Sequence, residues 1–159
     1  MENTLSQSLF ASILNEVMQE TFEQVQGIYL DKGTSLFETL ADINAEEASQ
    51  PISGGCATLA AQVKHVTFYL RTLEHYMFDG SNERVDWGEI WRTTKAVTAE
   101  EWAFLQTDLQ TAYGNLRSRM EANTDWNNER PLGGALAVIT HTAYHLGEIR
   151  QATCVLKHK

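Results

Sequence analysis

Long apolar runs are missing from this chain, and so is any excess of positive charge. It has 159 residues with Lys+Arg 12 against Asp+Glu 21, a formal net charge of -9, and a pI near 4.9. A general nucleic-acid binder needs a basic footprint, and an anionic membrane surface needs the same; neither partner is expected here. No apolar stretch approaches the roughly 18 residues of a membrane span. Cysteine is scarce: Cys56 and Cys154 alone do not make a disulfide framework. Met1-Glu2-Asn3-Thr4 has no basic stretch leading an apolar one, so no secretory signal is read, and a cytoplasmic protein with reduced thiols is expected. Proline is limited to Pro51 and Pro131, both outside the strongest helical patterns, so long helices can run unbroken. Phosphate-binding loops, nucleophile elbows and dinucleotide fingerprints are also lacking.

What is present is helical. Hydrophobic residues make up 43% and mean hydropathy is -0.32, the balance of a globular chain. The length suits one domain, residues 1–159. Four long helical patterns are predicted, with no convincing strand alternation. The first spans about Thr4 to Leu30, with Leu5, Leu9, Ile13, Val17 and Val25 on its apolar face and Gly33 as a stop signal. The second spans about Gly55 to Phe78 and ends before Gly80. The third starts at a capping box, Thr98 with Glu101, and carries Trp102, Leu105, Leu109, Ala112, Leu116 and Met120 at helical steps. The fourth spans about Leu132 to Lys157, with Pro131 near its first turn. A small helix, Ser35 to Leu40, is expected in the first long connection. The link from Asp79 to Val97 carries Trp87 and Trp91, expected to anchor it against the bundle or to cover a pocket mouth. The fold class is all-α, a four-helix bundle with long connections.

His141 and His145 stand four apart on the fourth pattern, so both imidazoles leave one face, one turn apart. At roughly 100° per residue, Gly134, Ala137, Val138, Glu148, Ala152, Val155 and Leu156 fall on their side, and Thr142 and Arg150 fall away. The same count on the second pattern groups His65 with Thr58, Ala61, Phe68, Tyr69, Thr72, Leu73 and Tyr76. It sends Thr67 and His75 to the other side. Three of the five histidines therefore point inward, where an unpaired imidazole is costly. A metal ion is one partner that satisfies all three at once, and three nitrogen ligands leave a coordination position open, as in catalytic sites. The bland alternative is a hydrogen-bonded core: Tyr69 beside His65, and Glu148 beside His145. Cys56 falls nearly opposite His65, and Cys154 nearly opposite His145, so neither thiol is expected in the site.

The stretch His141-Thr142-Ala143-Tyr144-His145-Leu146-Gly147-Glu148-Ile149-Arg150-Gln151 resembles the last-helix signature of the DinB-like (YfiT-like) metalloenzymes. His65, after a helix start containing Gly and Ala, is similar to that family's first ligand. Ser35-Leu36-Phe37-Glu38-Thr39-Leu40 resembles its link after helix one. The resemblance covers nearly the whole chain and is most specific at the C-terminal motif. It implies an up-down-down-up four-helix bundle holding one divalent metal, zinc or nickel, through His65, His141 and His145. Activities in the family include thiol S-transfer and isomerisation, with a low-molecular-weight thiol as co-substrate, and hydrolysis; homodimers are common in it.

A metal with an open position can turn a bound water into hydroxide near neutral pH, which gives a hydrolase. It can also hold a thiol as thiolate, which gives a thiol S-transferase. In either case the partner is a small molecule. Glu148 shares the inward face and is the candidate for the catalytic proton acceptor, or for an anchor of His145. Gly147 offers room for close helix approach. A di-iron carboxylate site is disfavoured, because Glu148 follows His145 instead of preceding a ligand histidine. The competing class is a non-catalytic, dimerising bundle whose histidines are satisfied by internal hydrogen bonds or by a structural metal.

Overall fold

A computed structural model describes residues 6–81 and 83–158. Thr4 and Leu5, the expected start of the first helix, lie outside them, as does Met1 to Thr4, where no secretory signal is expected. Seven helices and no strand occur among the described residues: α1 (Gln7–Phe22), α2 (Leu36–Ala41), α3 (Ala45–Ser49), α4 (Leu59–Phe78), α5 (Glu89–Thr93), α6 (Ala99–Ala122) and α7 (Glu129–Lys157). None is long and apolar enough to cross a membrane.

The four long helices begin where side chains can satisfy their first amides. The hydroxyl of Ser6 accepts from Leu9 N at the start of α1, and that of Thr58 accepts from Ala61 N at the start of α4. Thr98 and Glu101 form the expected reciprocal box on α6. Asn128 caps α7, and Pro131 lies buried in its first turn, where the missing N–H costs nothing. The small helix α2 forms where expected. The short α3 and α5 were not foreseen: each occupies five residues of a connection, too few for periodicity to register.

The first helix departs from expectation twice. It stops at Phe22, well short of Leu30 and Gly33. The cause is Glu20, fully buried, whose carboxylate accepts the backbone N–H groups of Gln26, Ile28, Tyr29 and Leu30. Those donors would have to point along the axis to continue a helix; here they converge on one carboxylate, and Gly27 turns the chain with a φ of 87°. The apolar face is also rotated. Leu9 and Ile13 are about half exposed (51% and 49%), and Leu14, Met18 and Phe22 are buried instead.

Helix α4 lies between α6 and α7, and α1 packs on α6 and α7. The pairs Arg71–Asp108 and Arg119–Asp79 rise together in number, so α4 and α6 run parallel. Tyr113 bonds Glu23 while Trp126 packs on Phe10, so α1 and α6 run antiparallel. His65 meets His141 while Met77 meets Gly134, so α4 and α7 run antiparallel. The last crossing is close: a Cβ on Gly134 would stand 2.2 Å from Met77 Cγ. Gly147, expected to serve close approach, is exposed with nothing near it; Gly134 has that role.

Because α4 is covered by α6 and α7, more than one stripe of it is buried. Thr67 is in the core, against expectation, and His75 is outside as expected. Helix α7 is likewise covered by α1 and α4. The centre of its buried arc, through Ala135, Val138, Thr142, Leu146 and Ile149, lies roughly 100° around the helix from His141. Thr142, placed away from the core by the sequence reading, is fully buried. The histidines thus sit on the flank of the core, beside a cavity.

Candidate functional site

Helix α4 supplies His65, and α7 supplies His141 and His145. One ring nitrogen from each lies within 4.8 Å of the others, the only such group of metal-binding side chains among the described residues. The Nε2 atoms of His65 and His141 are 3.1 Å apart. Ring centroids are separated by 5.0 Å (His65–His141), 4.9 Å (His65–His145) and 4.5 Å (His141–His145). His65 and His145 are each only 6% exposed; His141 is half-buried.

Each ring has a neighbour that orients it. The Nδ1 of His145 is 2.9 Å from Glu148 Oε2 and 3.3 Å from Gln62 Oε1. Both are acceptors, so Nδ1 carries the proton and Nε2 keeps its lone pair. The ring of Tyr69 is stacked on that of His141, and Trp91 of α5 lies over His65 with centroids 4.4 Å apart. Tyr69 does not hydrogen-bond His65, the role the core reading offered it. The Nδ1 atoms of His65 and His141 are buried without a protein partner.

The electrostatics favour neutral rings. Desolvation pulls the pKa of His65 down to about 4, helped by the charge of His145 and opposed by Glu148. Desolvation pulls that of His141 to about 3, with His145 and His65 adding to it. Desolvation also lowers His145, against Glu148. At neutral pH all three present lone pairs, the form a metal requires. Two nitrogens bound to one tetrahedral zinc stand roughly 3.3–3.5 Å apart. The His65–His141 pair is already close to that, and ring rotation of about 1–1.5 Å brings the widest pair to it. The donor set therefore fits a divalent ion of borderline softness.

An open cavity of about 660 Å³ reaches the cluster at His145; Gln62, Trp91, Tyr144, Glu148 and Gln151 line it. A smaller one of about 190 Å³, between α1 and α6, holds none of the histidines. Glu148 is positioned as an anchor of His145 and also faces the cavity. Trp87 packs on Phe68 and Tyr69, so the tryptophan link both anchors the connection and walls the site. Cys56 and Cys154 are exposed and outside the cluster. Cys56 precedes α4, so its helical phase had no meaning, and it lies on the cavity wall. Sequence reasoning missed Gln62, one turn before His65 and on its side of the helix, where the same phase count could have found it. It had no route to the Tyr69–His141 stack, which joins two helices.

Among protein-family models, curated proteins and solved structures, none matches this chain, so the functional reading rests on the geometry of the site.

Proposed function

We propose that this protein is a metal-dependent enzyme of the DinB-like kind, an up-down-down-up four-helix bundle in which His65, His141 and His145 hold one zinc or nickel ion. The observation that carries the reading is the convergence of three neutral, largely buried imidazoles beside an open cavity. The directions of α1, α4, α6 and α7 support the topology. An ion held there would supply a Lewis acid with at least one free position, able to activate a water or a small thiol. Hydrolase and thiol S-transferase are both compatible with that position. The chain's own contribution is physical. Glu148 and Gln62 fix the His145 tautomer, Tyr69 and Trp91 fix ring planes, and Glu148 can accept a proton at its cavity-facing carboxylate. A homodimer belongs to the same reading, supported by the half-exposed Leu9, Ile13 and Leu136.

The competing reading is a non-catalytic bundle in which His65 and His141 share one Nε2–H···Nε2 bond, a role their 3.1 Å separation permits. Metal analysis of protein purified without an affinity metal separates the two. About one divalent ion per chain is expected, and none in the variant with all three histidines changed to alanine. Metal-free protein that neither gains an ion on addition of zinc or nickel nor changes in stability overturns the proposal.

A further inference from the structure

The walls of the cavity carry charge of one sign. Glu148 is its one carboxylate, and no lysine or arginine lines it among the described residues. Lys95 lines a separate cavity that shares Cys56, Ala57 and Trp91 with this one. Two aromatic rings of the lining flank His145, the residue that Glu148 holds: Trp91, 37% exposed, and Tyr144, 63% exposed, whose hydroxyl also bonds Glu148. The amides of Gln62, whose Oε1 already meets His145 Nδ1, and Gln151 complete the polar lining. A carboxylate with aromatic faces and amide oxygens around it is the surrounding that recognises an ammonium group. It offers no cationic side chain among the described residues to compensate a buried carboxylate or phosphate.

We propose that the site selects a small molecule bearing a protonated amine two or three bonds from the atom that meets the metal, and disfavours the same molecule with a carboxylate there. This rests on the metal-site reading above. The charges then balance: the ion draws an anionic donor atom, and Glu148 with the two rings takes the ammonium. Glu148 accepts from His145 Nδ1 and from the Tyr144 hydroxyl; a carboxylate has about four lone-pair sites, so acceptor capacity for an ammonium remains. One imidazole separates Glu148 from the metal position, a span that a two-carbon chain bridges.

The test uses cobalt-loaded protein and three thiol probes that differ only at the distal end: cysteamine, 2-mercaptoethanol and 3-mercaptopropionate. Sulfur-to-cobalt charge-transfer absorption reports thiolate on the metal, and its titration gives each affinity. Cysteamine is expected to bind at least about 10-fold more tightly than 3-mercaptopropionate. In Glu148→Gln, compared at full cobalt loading, that ratio falls below about threefold. In Trp91→Leu the affinity for cysteamine falls about 3- to 10-fold and the others change less. Equal affinities for the three thiols overturn the inference and leave the metal reading standing. A preference that survives Glu148→Gln also overturns it, because it then reflects the acidity of the thiol. Bound cobalt with no charge-transfer band for any thiol removes the open position, and the inference with it. Failure to bind cobalt at all removes the metal reading itself.

Discussion

The ring of Tyr69 lies flat against that of His141, centroids 3.6 Å apart and planes 6° from parallel. Tyr69 is on α4 and His141 on α7, so the stack couples the crossing of two helices to the orientation of one histidine of the cluster. Such a contact is worth about 0.5–1.5 kcal/mol, or about 2- to 10-fold in affinity. Tyr69→Leu is expected to weaken metal binding by that factor in a chelator competition, and Tyr69→Phe to leave it unchanged. Equal losses in both would assign the effect to the hydroxyl instead of the ring face.

In the proposed site Glu148 would act on the metal through His145. Removing a carboxylate that holds a ligand histidine typically costs 10–100-fold in metal affinity. Glu148→Ala is expected to show that loss with an unchanged helical circular-dichroism spectrum. An unaltered affinity would mean that Gln62 alone orients the ring.

Metal-free protein is expected to lose stability as pH falls from about 6.5 towards 3. The pKa values of His65 and His141 are about 4 and 3 in the folded chain and near 6.5 when unfolded. In that window the unfolded chain binds more protons, so acid favours unfolding; above about 6.5 the contribution is fully present. Urea midpoints measured against pH for the native chain and for His65→Gln/His141→Gln test this. The variant should be flatter between pH 6.5 and 4.5. Parallel curves would show that the rings are not desolvated in the folded state.

Glu20 governs a second, lower window. Burial raises its pKa, but the N–H groups of Ile28, Tyr29, Leu30 and Gln26 outweigh that and bring it to about 2. Its stabilising effect is present above about 4.5 and is lost as pH falls towards 2. Glu20→Gln removes the charge and one oxygen acceptor, leaving amides unsatisfied at about 1–3 kcal/mol each. A loss of about 3 kcal/mol in a denaturant titration is expected, with faster amide exchange at residues 26–30. Slow exchange there would mean the loop closes without the carboxylate.

The close crossing of α4 and α7 predicts a coupled pair. Gly134→Ala places a methyl group against Met77 and should cost about 1–3 kcal/mol by overpacking. Met77→Ala should cost less in that background than in the native chain, because it vacates the same space. Additive losses would show that Met77 moves aside freely.

The three clustered histidines and the presence of four long helices were legible in the chain because both depend on local geometry. Four-residue spacing puts His141 and His145 on one face of any α-helix, and the Thr98–Glu101 pair marks a helix start wherever it occurs. Phase was less reliable about burial. On α1 it chose Leu9 and Ile13 over Leu14, Met18 and Phe22, and on α7 it sent Thr142 to solvent. A single stripe describes a helix covered from one side, and α4 and α7 are covered from two.

By itself the sequence determined that this chain is helical, that its third long helix starts at the Thr98–Glu101 box, and that His65, His141 and His145 share sides suited to meeting. Periodicity and capping are short-range, so the order of residues carries them. Only the tertiary structure decided that α1 ends at Glu20's buried carboxylate, that Gly134 sets the distance between α4 and α7, and that Tyr69, Trp91 and Gln62 frame the histidines. These contacts join residues far apart in the chain, and packing of whole helices, which no local pattern records, brings them together.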